Sequence, residues 1–193
     1  MTQASKEVTL ASLTDYSGDF SPQLQLSEFS HDTLVRLLTV YSQLYIAMDG
    51  FWYLAVMERH GNDEALACDM RAWERVAKYE MKRLTEILNI NGHDVVAFMK
   101  ALQLTPWCQK TQYEMEIESP NRATFTVTYC PTLDALEKEG KGRQVPICAE
   151  IEPKIMGWYA SFFNPEIKFE PLTPLPRQNR EDACCRWTVY AKG

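Results

Sequence analysis

Apolar residues recur at spacings of three and four through Leu34, Leu37, Leu38, Tyr41, Leu44, Tyr45 and Met48, and then through Trp52, Val56 and Met57. That is the period of a helix with one buried face. Ser30 or Asp32 stands where the cap of this helix belongs, and Gly61 where it ends. Gly50 either lies within one long helix or marks a bend between two. Asn62 and Asp63 supply a cap for a second long helix, with Leu66, Met70, Trp73, Ala77, Leu84 and Leu88 along one side, closed by Asn91-Gly92. A shorter amphipathic segment from about Asp94 to Leu104 carries Val95, Phe98, Met99 and Leu102 until Pro106 breaks it. Residues Met1 to about Glu28 lack sustained periodicity and predict an extended or partly ordered arm.

Beyond Pro106 the period changes to strict alternation. Tyr113, Met115 and Ile117 share one face of a first strand, Phe125, Val127 and Tyr129 one face of a second, and Ser119-Pro120-Asn121-Arg122 forms the turn of an antiparallel hairpin. Cys130 follows, and Pro131 opens a short helix through about Glu139. A further helix starts near Pro153, carries Ile155, Trp158, Tyr159 and Phe162, and leaves Cys148 in or beside the preceding turn. Ile167 and Phe169 alternate in a short strand, Pro171, Pro174 and Pro176 mark a loop, and Cys185 to Tyr190 is the last strand. The pattern predicts an α+β fold, in which N-terminal helices pack on a small antiparallel sheet with a C-terminal helix. It divides into an arm over 1–28 and one domain over 29–193, helical over 29–105 and a cysteine-containing α/β unit over 106–193.

At 193 residues and 22.3 kDa the chain suits one core. A formal net charge of -6 and no clustered Lys/Arg stripe exclude a general nucleic-acid surface. No apolar run approaches the ~20 residues a bilayer needs, and Met1 to Glu7 show no secretory pattern, so a cytoplasmic protein with no membrane partner is expected. Its six cysteines are then expected to stay reduced. An exposed helical stripe could serve a homodimer.

Cys130, Cys148 and Cys185 each fall at the edge of an element, where thiols can hold a metal, supply a nucleophile, or simply fill a packing joint. If Pro131 is the first helical residue, Cys130 occupies a helix cap that favours thiolate, and a nucleophile could result. None of His31, His60 and His93 can be assigned as its base. Asp49, in an apolar helical run, lines a ligand cavity, caps a bend at Gly50, or pairs with a cation such as Arg75. Trp52, Trp73, Trp158 and Trp187 wall an aromatic-lined pocket or pack in the core. Cys184 beside Cys185 reads as one ligand or packed thiol plus one outward neighbour.

The order of hairpin, Cys130-Pro131, turn with Cys148, helix containing Gly157, Glu170, Cys185 and strand resembles the 4-vinyl-reductase family and relatives with a TRAPP-subunit-like fold, over residues 110–191. Met48-Asp49-Gly50-Phe51-Trp52, Glu58, Gly61, Trp73, Cys130-Pro131, Cys148 and Cys185-Arg186-Trp187 resemble an uncharacterised family grouped with L-2-amino-thiazoline-4-carboxylic acid hydrolase-like proteins. The first resemblance implies a small apolar or aromatic ligand and a zinc ion on Cys148, Glu170 and Cys185. Cys130, Cys184 or water would complete the set, because Thr173 stands near where zinc-binding members have a further cysteine. The second implies a thiol- or metal-dependent hydrolase of a small cyclic amide or thiazoline. Against both stands a structural or interaction module.

Overall fold

Ser30 starts the first long helix. Its backbone is extended, and its hydroxyl oxygen accepts the Thr33 amide at 3.2 Å, satisfying one of the donors that a helix start leaves free. The computed structural model describes residues 12–192. Helix α1 runs unbroken from His31–His60, so Gly50 lies within one helix and marks no bend. Gly61 joins it to α2, Asn62–Leu88, at φ 89, a conformation that disfavours any residue with a Cβ. Asn62 and Asp63 are therefore already helical, and the cap position has no side chain. Asn89, left-handed at φ 49, ends α2 before the Asn91-Gly92 pair. The two helices fold back on each other, with the Tyr53 hydroxyl donating to Asn62 at 2.7 Å and Tyr45 meeting Trp73 edge-on.

Helix α3, Val95–Leu102, is capped by Asp94, whose carboxylate accepts the Ala97 amide at 2.8 Å. It is apolar enough to be almost wholly buried. Strands β1, Gln112–Ser119, and β2, Arg122–Tyr129, form the expected hairpin. The chain continues through α4 (Pro131–Glu139), a single turn α5 (Gln144–Pro146), a π-helical turn at Ile147–Ile151 and α6 (Glu152–Phe163). Strands β3, Lys168–Pro171, and β4, Cys185–Tyr190, complete an antiparallel sheet of order β1-β2-β4-β3. Helices on an antiparallel sheet make this an α+β protein, as the change of period predicts.

Register decides which side chains meet. Phe125 stands opposite Trp187, and Phe169 opposite Val189, all turned toward the helices in one core with Phe98 and Tyr159. Because side chains alternate along a strand, Thr126, Arg186 and Glu170 take the outer face. Of the arm, residues 1–11 lie outside the described residues. Leu13 pairs with Phe29 and ties the remainder to the start of α1.

Candidate functional site

Four of the six cysteines converge on one cavity. Cys130 reaches it from the start of α4, Cys148 from the π-helical turn, and Cys184 and Cys185 from the start of β4. Each origin has a local cause. Pro131 fixes the first residue of α4, which leaves Cys130 as the cap, its sulfur accepting the Leu133 amide at 3.5 Å. The π-helical turn is a wider ring that redirects the side chains around it, and such turns recur at functional sites. Alternation sends Cys185 inward beside Trp187. The adjacent Cys184 is held from outside by Arg177 Nη1, which donates to its sulfur at 3.6 Å, while the thiol donates to the Thr128 carbonyl at 3.4 Å.

The acid in this cavity is Glu152, not Glu170. Glu170 lies on the outer face of β3, exposed, and accepts a 2.9 Å hydrogen bond from the Tyr190 hydroxyl. Its place in a ligand set was a matter of sequence position, and the inward turn of Phe169 carries it to the far side of the sheet. Glu152, by contrast, is the first residue of α6, and burial alone pushes its carboxyl up to about 7. Trp107, Leu133, Ile147, Leu175 and Trp187 supply the apolar remainder of the lining.

Thiols in such surroundings hold their protons. Burial pushes Cys130 up to about 12, despite the amide it accepts. Burial likewise raises Cys148 and Cys185, and the Glu152 carboxylate adds to both shifts. Cys130 is thus a helix cap, as its sequence context predicts, without being a free thiolate. None of the residues lining the cavity is a histidine. Histidines 31 and 60 lie at the two ends of α1, and His93 Nδ1 bonds the Phe163 carbonyl at 3.0 Å.

The cavity measures about 30 Å3. One water occupies about this share of liquid volume, whereas small-molecule sites run to roughly 300–1,000 Å3. The space therefore suits an ion or a water. Among the described residues no group of three or more His, Cys, Asp or Glu side chains is placed to hold a metal ion. A larger hollow of about 600 Å3 opens on the outer sheet face under the proline-rich loop, lined by Glu114, Thr126, Arg177 and Arg186. Most of the residues that line it are polar or charged, and none is aromatic.

The tryptophans expected to wall one pocket are dispersed. Trp187 is 1% exposed and lines the thiol cavity, Trp158 packs half-buried on the core, and Trp52 is exposed on α1. Trp73 instead meets Asp49 and Asp69 between α1 and α2. Asp49 has an aspartate, not Arg75, as its partner: burial raises both carboxyls, Asp69 to about 7, while Trp73 hydrogen bonds pull the other way. One oxygen of Asp69, Oδ1, is buried with no conventional partner, as happens when two carboxyls face each other and must share a proton. Sequence reading missed Glu152 because it sits between Glu150 and Lys154, where nothing in the spacing separates an inward acid from a solvated one, whereas Asp69, in the apolar run from Ala65 to Met70, carries the same signal as Asp49.

Residues 27–190 match the model of a family described as "Family of unknown function (DUF6125)", and the chain belongs to that family. No curated protein and no solved structure matches the chain.

Proposed function

We propose that this member of a family without an assigned role binds one thiophilic metal ion, of the zinc type, in the cavity where its cysteines meet. The convergence of Cys130, Cys148, Cys185 and the Glu152 carboxyl on a space of ion size carries the reading. Thiolates and a carboxylate form a set that zinc accepts in four-coordination, and the absence of histidine leans toward a closed, structural site. A bound cation would reverse the local acid-base balance, because a coordinating thiol gives up its proton outright. Ligation would draw the sulfur atoms inward and tie α4, the π-helical turn and β4 to one point. Cys184 is the outer neighbour in this reading, engaged with Arg177 and Thr128.

The likeness to 4-vinyl-reductase domains supports Cys148 and Cys185 as ligands, with Glu152 in the part that Glu170 would have had. The hydrolase suggested by the thiazoline-hydrolase likeness finds less support. Cys130 keeps its proton, no imidazole adjoins it, and about 30 Å3 leaves no room for a cyclic substrate. The test is elemental analysis of the purified protein after growth with trace zinc. About one zinc per chain, lost in Cys148→Ser and Cys185→Ser and retained in Cys68→Ser, supports the reading. Metal-free protein that takes up no added zinc would reduce the four thiols to packing residues.

A further inference from the structure

Helix α1 is thirty residues long, and Tyr53 alone is buried. Most helical stability in proteins comes from packing an apolar face, and α1 has two such faces. Tyr45, Asp49 and Tyr53 turn toward α2. On the other side, Leu37, Tyr41, Leu44, Met48, Phe51 and Ala55 follow one another at spacings of four, three, four, three and four. That is the spacing of one continuous helical face, of the kind that packs against another element. Leu44 is 56% exposed, and Met48 and Phe51 are each 70% exposed. Leu38, Val40 and Trp52 border the seam and are exposed too.

Chemistry narrows the occupant. Between Arg36 and Glu58 the helix carries one charged residue, Asp49, and that one faces α2. A helix that lies on a membrane needs a Lys/Arg-rich polar face, which this stretch lacks. A partner steered by charge would find no charge here to read. A second copy meets neither obstacle, since an uncharged seam brings no like-charge repulsion even though the chain carries a net charge of -6. At the 150–250 Å2 of an aromatic side chain, and somewhat less for Leu or Met, the exposed seam and its borders amount to roughly 800 Å2, the share one partner contributes to a standard interface.

We infer that α1 is the two-fold interface of a homodimer, the seam from Leu37 to Ala55 of one copy packing on the same seam of the other. An isologous contact of this kind closes on itself and leaves no apolar face over. Sedimentation equilibrium of the full chain at micromolar concentration tests it, with an expected mass of twice 22.3 kDa. Leu44→Glu/Met48→Glu is expected to weaken association at least about 100-fold, because it sets like charges against each other in a desolvated seam. Both residues are exposed in the single chain, so circular dichroism should show the variant folded. Ile87→Glu, at an 80% exposed apolar position on α2, should leave the dimer intact. A monomeric wild type, a double variant that stays dimeric, or a control that dissociates equally would overturn the inference. So would a monomer that floats with phosphatidylcholine vesicles, or one that dimerises only when residues 1–11 are removed.

Discussion

Glu152 follows Cys148 by four residues across the π-helical turn, and both side chains line the same cavity. Each is costly to ionise there, because burial favours the neutral form of thiol and carboxyl alike. A cation changes the sign of that cost for both at once. The π-helical turn thus sets a proton-bearing pair where a metal would convert it into ligands.

Glu152 makes the metal-free protein sensitive to pH. Its folded value of about 7 lies above the ordinary 4.5, so its protonated form contributes stability that is complete below about pH 4.5 and lost as pH rises through 7. At pH 8 the loss approaches 3 kcal/mol, at 1.36 kcal/mol per unit. In the presence of chelator, Glu152→Gln should be more stable than wild type at pH 8, the two converging toward pH 4.5. Urea unfolding across this range gives the answer, and parallel curves would remove Glu152 from its buried position.

The adjacent cysteines should behave differently. Cys185 points inward, whereas the Cys184 thiol is spent on Thr128 and Arg177. Competition with a chromophoric chelator should show zinc affinity falling at least about 100-fold in Cys185→Ser and about tenfold in Cys184→Ser, a loss typical of groups beside the ligands. Equal losses would mean that Cys184 ligates too.

Between the long helices, Asp49 and Asp69 provide a second titration. Burial and the Asp49 charge raise Asp69 to about 7, so its stabilising protonated form is lost as pH rises through that value. Asp69→Asn should raise the melting temperature at pH 8.5 by several degrees and flatten its decline between about pH 4 and pH 7, since about 1 kcal/mol moves the midpoint roughly 2–4 °C in a chain of this size. An unchanged slope would show that the pair does not share a proton.

How much of this was legible follows residue by residue. The joint at Gly61, the hairpin turn and the cap at Cys130 could all be read, because glycine, proline and strict alternation act locally. The convergence of the cysteines could not, since the sheet order that brings β4 beside β2 is a long-range fact. Glu170 was separable in principle: with Phe169 inward, period two already turned it outward. Glu152 precedes Pro153 at what reads as an ordinary helix start, and only the preceding π-helical turn aims it at the thiols.

An ion pair ties the proline-rich loop to α4. Arg177 donates to both oxygens of Glu137, from Nε at 2.9 Å and Nη2 at 2.7 Å, and both side chains are largely buried. Removing the Arg177 cation leaves the Glu137 carboxylate with only the exposed Arg180, 3.5 Å away, and costs about 1–3 kcal/mol. Arg177→Ala should show that loss in chemical unfolding together with faster modification of Cys184 by a thiol reagent in the native protein. Unchanged Cys184 reactivity would mean that the loop is held elsewhere.

Cobalt(II) substitution tests the central claim most directly, because sulfur-to-metal charge-transfer absorption appears only when thiolates bind the ion. Wild type titrated with cobalt should develop these bands to one equivalent and lose them on adding zinc, while Cys130→Ser, Cys148→Ser and Cys185→Ser should each develop weaker bands. A wild-type spectrum that stays featureless, or one unchanged by all three substitutions, would contradict metal binding at the cysteine cavity.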